Sequence, residues 1–304
     1  MKNKVFFDEN DNVIDICRDE VFKAVFTKET QESRAALSGL VSALIGRNVS
    51  ISEIMANEPP AEGSWDRQIR YDIKCRAENG ERINVEMSLN PDAFEPVRME
   101  YQVAKLIMGQ DIKGKDKNYN DLKPSYQITI LVKKTFFPDE IFYHAFEYYD
   151  PIRRVSLDGR SRIIALELSK LKKVAKKPTD DMDTQEKWAV FFKYLTDRKK
   201  RGKINEIIAQ EEAIAMASEV IAGFTQEEKE FFWKMDRITA ELDRNSMIHE
   251  AEREAERKLK KAVREVKRDD ARNALAEGLS VDVVHRITGL DMKTITKIQA
   301  DLQK

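Results

Sequence analysis

QIRYDIKCRAENGERINVEMSL, residues 68–89, decides the fold. In its first half Ile69, Tyr71, Ile73 and Cys75 alternate with Arg70, Asp72, Lys74 and Arg76. In its second half Ile83, Val85, Met87 and Leu89 alternate with Arg82, Asn84, Glu86 and Ser88. A period of two belongs to a strand whose side chains point by turns to either face of a sheet. Between the halves stands Glu78-Asn79-Gly80-Glu81, and Asn-Gly between alternating runs is the strongest short-range hairpin signal. The stretch predicts two antiparallel strands, 68–77 and 82–89, with one apolar and one polar face.

Asp72 and Glu86 both lie on the polar face. Facing residues on paired strands stand about 5 Å apart. Pairing about the Asn79–Gly80 bond sets Asp72 nearly opposite Met87, so Glu86 comes into line only if the register moves by one residue. The sequence leaves that register open. Two carboxylates at the end of a hairpin suit Mg²⁺, which takes hard oxygen ligands and keeps waters. Such an ion can activate a water against a phosphodiester. Taken alone, the pair reads more simply as the solvated face of an amphipathic strand.

On the N-terminal side, residues 15–47 read as helical. Ile16, Val21, Phe22, Val25 and Phe26 recur at near three and four, and Leu37, Leu40, Val41, Leu44 and Ile45 continue to a stop at Gly46. Ile51 and Ile54 fall in the connection, and residues 58–63, with Pro59-Pro60 and Gly63, form a loop. On the C-terminal side, residues 93–108 predict a helix with Phe94, Val97, Tyr101, Ala104 and Ile107 on its apolar face. Strands follow at 125–132, 142–149 and 162–168. The order is that of an α/β core.

The chain has 304 residues, 41% of them hydrophobic and 35% charged, with a formal net charge of −1. That length divides into a core at 1–168, a helical region at 169–240 and a charged helix with a short-helix tail at 241–304. A near-neutral chain that grips nucleic acid must use local basic patches. The two cysteines, Cys17 and Cys75, form no CxxC pair, and three scattered histidines give no zinc spacing. Such usage fits a reducing, cytoplasmic setting. No run reads as a signal peptide or a membrane span. A phosphatase or other hydrolase finds no support, because there is no Gly-rich phosphate loop, nucleophile elbow or Cys/His pair.

The ordered motifs resemble a known family. They are Asp19, Phe22, Lys23 and Phe26; then Arg70, Asp72 and Ile73; then Asn84, Glu86 and Met87; then Arg98 and Tyr101; then Pro124, Tyr126, Ile128 and Ile130. Together they resemble the PD-(D/E)XK nuclease family transposases, over roughly residues 13–168 and more loosely in the tail. The resemblance implies a restriction-endonuclease-like αβββαβ core with an all-helical C-terminal extension, cutting DNA with Mg²⁺ or Mn²⁺. It matches the family's Asp to Asp72 and its Glu to Glu86, and implies the Met87 carbonyl as a third metal oxygen. Asp19 and Lys23 would serve from the first helix. One position departs: where the fold carries Lys, and this family often Gln, two residues after the Glu, this chain has Ser88. A hydroxyl can orient water but brings no positive charge. Lys74, two residues after Asp72 on the same face, is a candidate to supply it; its simpler reading is a solvent-facing lysine. Arg98 reads as a phosphate contact or a surface cation, and Tyr101 as core.

The tail, LAEGLSVDVVHRITGLDMKTITKIQADL, has helix-turn-helix cadence. From about Asp269 it reads as three short helices, with Gly278 ending one, Ser280 capping the next, Gly289 turning the chain and Asp291 starting the last. The last helix would offer Lys293, Thr294, Thr296 and Lys297 to a DNA groove. Residues 257–268 hold seven basic residues against Glu265 alone, a phosphate track. A capping bundle, or a dimerisation bundle that makes the chain a homodimer, explains the same residues. Two functions remain open: a DNA endonuclease of a mobile element, and a non-catalytic DNA-binding or scaffolding protein on the same fold, which Ser88 keeps in play.

Overall fold

The computed structural model describes residues 5–55, 71–112 and 116–302. The loop expected at 58–63 and the first strand residues expected at 68–70, Arg70 of the motif among them, lie outside the described residues. The chain divides into two compact units, residues 1–233 and 234–304.

The first unit opens with α1 (Asp19–Thr27) and α2 (Gln31–Ile45). The helical run expected over 15–47 breaks at Lys28–Thr30, because the Thr30 hydroxyl accepts from Ser33 N at 3.1 Å and starts a new helix. Gly46, at φ +81°, ends it with a left-handed cap. Next come β1 (Ile51–Ile54), β2 (Ile73–Ala77), β3 (Arg82–Ser88), α3 (Glu95–Met108) and β4 (Ser125–Leu131). β5 (Tyr143–Phe146), a small ribbon of β6 (Tyr149–Asp150) and β7 (Val155–Ser156), and β8 (Ser161–Glu167) complete the strands. Helices α4 (Thr184–Tyr194), α5 (Arg201–Gln210) and α6 (Glu212–Ala222) follow.

Six strands form one mixed sheet in the order β1-β2-β3-β4-β8-β5. β1, β2 and β3 pair antiparallel, β3, β4 and β8 pair parallel, and β5 returns antiparallel on β8. The run α2-β1-β2-β3-α3-β4 is the αβββαβ core. β1 was expected only as a connection. It is a four-residue edge strand with an irregular register between Ile51 and Glu53, so its two isoleucines fall three apart and hide the period of two.

One sheet face is apolar. Ile73, Cys75, Ile83, Val85, Ile128, Ile130, Ile164 and Leu166 lie buried in a single cluster with side chains from α1, α2, α4, α5 and α6. An aromatic group closes it, with Phe22–Phe26 ring centroids 5.0 Å apart and Trp188–Phe192 5.5 Å apart. α3 covers the other face, and its orientation differs from the expected one. Phe94, Val97 and Tyr101 are exposed, whereas Glu95, Met99, Gln102, Val103 and Leu106 are buried. Gln102 and Glu95 turn inward because the sheet beneath them is polar there.

The hairpin loop holds three residues. Gly80 N donates to Ala77 O at 2.9 Å, and Ala77 N donates to Glu81 O at 3.0 Å. Gly80 sits at φ +88°, the left-handed position such a loop requires. Pairing is therefore centred on Asn79, with Ile73 opposite Val85 and Cys75 opposite Ile83. The ladder ends at Ile73 and Val85; Asp72 lies in the bend just before β2, where its carboxylate accepts from Met87 N.

α7 (Gln226–Ala276) is one continuous helix through the charged stretch. The first of the three short tail helices is its end, since no breaker stands before Gly278. α8 (Val281–Thr288) and α9 (Met292–Leu302) close a small core of Ala271, Val284, Leu290, Ile295 and Ile298. No described helix is long and apolar enough to cross a membrane.

Candidate functional site

Asp72 and Glu86 are each 8% exposed; Glu86 lies under α3, where Gln102 reaches it, and Asp72 meets Lys23 of α1. Met87 N donates to Asp72 Oδ2 at 2.9 Å, so the carboxylate is tied to the backbone beside Glu86. Lys23, one turn after Asp19 on α1, places its ammonium 3.2 Å from Asp72 Oδ1 and 2.9 Å from Asp19 Oδ2. Glu86 Oε2 accepts from Asn84 Nδ2 at 3.1 Å and from Gln102 Nε2 at 3.2 Å. Asn84 also donates to Gln127, and Gln127 to Thr129, so a buried polar row runs from β3 to β4.

The electrostatics follow from this crowding. Burial, then the charges of Glu86 and Asp19, push the Asp72 carboxyl well above its usual range; Lys23 and the Met87 N–H only partly offset them. Burial pushes Glu86 up as well, against the Asn84 hydrogen bond and the Arg98 charge. Burial pulls the Lys23 ammonium down, yet Asp72 and Asp19 together hold it above the ordinary value. Burial and the Glu86 charge raise the Tyr71 phenol to about 12.

Ser88 is buried beside Glu86. Its hydroxyl donates to Glu95 Oε2 at 3.3 Å and accepts from Arg98 Nη2 at 3.4 Å. Arg98 grips both Glu95 oxygens at 2.8 Å. The position two residues after Glu86 thus meets a guanidinium that comes from α3. Lys74 goes elsewhere: its ammonium lies 5.4 Å from the Tyr71 ring centre, and burial and Arg82 lower its pKa. Tyr101, expected in the core, is 44% exposed.

The sequence reading passed over Glu95, Gln102, Gln127 and Thr129. Gln127 and Thr129 carried a signal, because polar residues alternating with isoleucines on a central parallel strand are rare unless something across the interface needs them.

In the second unit, Lys293, Thr296 and Lys297 are exposed on α9. Thr294 is half-buried and occupied with the helix cap: its N and Oγ1 donate to Asp291 at 2.8 and 2.7 Å. Asp291 starts α9 as expected, whereas Ser280 precedes α8 without a side-chain cap bond.

A mixed sheet with the αβββαβ order and an acidic hairpin pair beneath the following helix defines a restriction-endonuclease-like protein. The sequence profile described as PD-(D/E)XK nuclease family transposase matches residues 17–251, and the chain belongs to that family. No curated protein and no solved structure matches the chain.

Proposed function

We propose that this chain is a metal-dependent DNA endonuclease of a mobile element, hydrolysing phosphodiester bonds at Asp72 and Glu86. The observation that supports the reading is a buried pair of carboxylates whose charges act on each other, Asp72 tied to Met87 N beside Glu86.

The residues present fit a divalent cation. Asp19, Asp72, Glu86 and Glu95 stand against Lys23 and Arg98, an excess of two negative charges when all are ionised. Two buried acceptors on the residues that hold Glu86, Asn84 Oδ1 and Gln102 Oε1, have no donor among the described residues. Among those residues no group of three or more His, Cys, Asp or Glu side chains forms a metal cage. The carboxylate oxygens of Asp72 and Glu86 are the hard ligands that Mg²⁺ or Mn²⁺ take. Asp72, Glu86 and the Met87 carbonyl would hold the ion. When bound, it supplies a more acidic water and neutralises charge developing on the phosphate.

The chain's own groups prepare the site. Asn84 and Gln102 fix Glu86 by one oxygen, leaving Oε1 without a protein donor among the described residues. Lys23 balances Asp72 and favours its ionised form. Arg98 sets a guanidinium next to the Ser88 hydroxyl, where it can bind a phosphate oxygen and carry the positive charge that Ser88 lacks. Lys293 and Lys297, with the basic run 257–268, would add DNA affinity rather than chemistry. The buried free cysteines agree with a cytoplasmic setting.

The test is nicking of supercoiled plasmid with Mg²⁺ and with Mn²⁺. Wild type is expected to nick, and Asp72→Asn and Glu86→Gln are not. The rival reading, a DNA-binding scaffold, rests on Ser88 being locked by Glu95 and Arg98. It is adopted if wild type and Ser88→Lys both fail to cut while DNA is still bound.

A further inference from the structure

The sheet face that carries Glu86 also carries an unbalanced group of cations. Arg82, Asn84 and Glu86 alternate along β3 with the buried Ile83 and Val85, so all three point away from the apolar core. In the β2–β3 register Lys74 stands opposite Asn84 and Arg76 opposite Arg82, which puts both on that same face. Two arginines are thus set directly across from each other, an arrangement that costs stability rather than adding to it. Burial and the Arg76 charge together pull the Arg82 guanidinium below its usual value.

The neighbours do not neutralise the group. Arg76 pairs with Glu53 at 3.4 Å, and its Nε is buried without an acceptor among the described residues. Arg82 Nη1 reaches Met55 Sδ at 3.3 Å, and the Lys74 ammonium lies over the Tyr71 ring; neither has a carboxylate partner among the described residues. The group lies to one side of Glu86. Arg82 precedes it by four residues, roughly 13 Å along the strand, and Lys74 falls between them, level with Asn84. Arg98 lies to the other side, beside Ser88. All three cations remain partly exposed.

We propose that Lys74, Arg76 and Arg82 hold the phosphates next to the one that is cut, on the hairpin-loop side of Glu86. A DNA strand brings a row of regularly spaced single charges. A guanidinium binds a phosphate through two N–H donors, whatever the base, so such contacts set position rather than sequence. One phosphate shared by Arg76 and Arg82 turns their repulsion into two attractions. The cations follow the strand that bears Glu86, which favours a DNA strand already held at the carboxylates over an unrelated acidic protein. The inference rests on the DNA substrate proposed above and is independent of the metal chemistry.

The test uses the full chain in chelator, with the melting temperature and the binding of a short fluorescent duplex measured across salt. Arg82→Gln is expected to melt at or above wild type, since the opposed charge is gone. It should nevertheless bind the duplex more weakly, with a salt slope shallower by about 0.9 for one phosphate fewer. Lys74→Gln should lose the same slope. Arg82→Lys should keep the wild-type slope, which separates charge from fold. Glu53→Gln frees Arg76 and should bind more tightly. Wild-type affinity and slope in Arg82→Gln, an equal loss in Arg82→Lys, or binding by Glu53→Gln no tighter than wild type overturns the track and leaves the nuclease reading standing. The track also falls, in favour of a small-anion site, if inorganic phosphate raises the melting temperature of wild type but not of Arg82→Gln while both bind the duplex alike. Failure of wild type to bind any duplex, with or without Mg²⁺, overturns the track and the DNA reading together.

Discussion

Asp72→Asn is expected to make the metal-free protein more stable while removing its response to metal. Asparagine keeps the shape and can still accept from Met87 N. It deletes a charge that Glu86 repels, and two unit charges roughly 5 Å apart repel by about 3 kcal/mol at an effective dielectric near 20. The Lys23 contact at 3.2 Å amounts to about 5 kcal/mol by the same formula. However, Lys23 is partly solvated and keeps Asp19 at 2.9 Å, so most of that attraction is screened or retained. Burial of the charge decides the balance, since it is the largest cause of the raised Asp72 pKa. A net gain of about 1 kcal/mol raises the melting temperature by about 2–4 °C in a unit of this size. The sign with pH follows. A carboxyl whose folded pKa is raised leaves the fold most stable below its unfolded pKa, and that stability is lost as pH rises through the folded value. Wild type should therefore approach Asp72→Asn as the buffer is made acidic and fall behind it at neutral pH. The assay is a thermal melt in chelator across pH, repeated with Mg²⁺. At a hundredfold excess over Kd the metal should stabilise wild type by about 2.7 kcal/mol and the variant not at all. An Asp72→Asn protein less stable than wild type in chelator at neutral pH would refute the reasoning, because Asp72 would then be a structural acceptor and not a strained charge.

Three further outcomes are expected. Gly80→Ala should lower stability by about 1–2 kcal/mol in urea unfolding, since φ +88° is costly for any side chain and the new Cβ meets Lys123 Cγ at 3.2 Å. Ser88→Lys should keep or raise plasmid nicking, because it puts an ammonium where the Arg98 guanidinium now reaches, and a drop in nicking would count against Arg98 as the stand-in cation. Deleting residues 241–304 should weaken DNA binding and flatten its salt dependence, with the first unit still folded; an unchanged salt slope would favour the dimerisation or capping reading.

The hairpin was legible because alternation and Asn-Gly are local signals, and the strands at β4 and β8 because their buried runs are short and rich in isoleucine. What the sequence hid was decided by contacts between distant segments. Counting from the Asn79–Gly80 bond misses the register by one residue, since whether Gly80 closes a two-residue or a three-residue loop depends on its φ. α3 was read with its apolar side inward, and that rule fails where the sheet beneath is polar. Gln102 and Glu95 are buried because Glu86 and Ser88 need partners, which leaves Phe94 and Val97 outside. Of the proposed site, the two carboxylates and Lys23 could be found by pattern. The Glu95–Arg98 clamp on Ser88 could not, because it depends on how α3 crosses the sheet.

The central claim is that Asp72 and Glu86 share one divalent cation. A crystal of the protein soaked in Mn²⁺, measured at the manganese absorption edge, tests it directly. The account predicts one anomalous peak between the two carboxylates, beside the Met87 carbonyl, lost in Glu86→Gln. A peak only at other acidic groups, such as Asp139 with Glu167, or no peak at all in wild type, would contradict it.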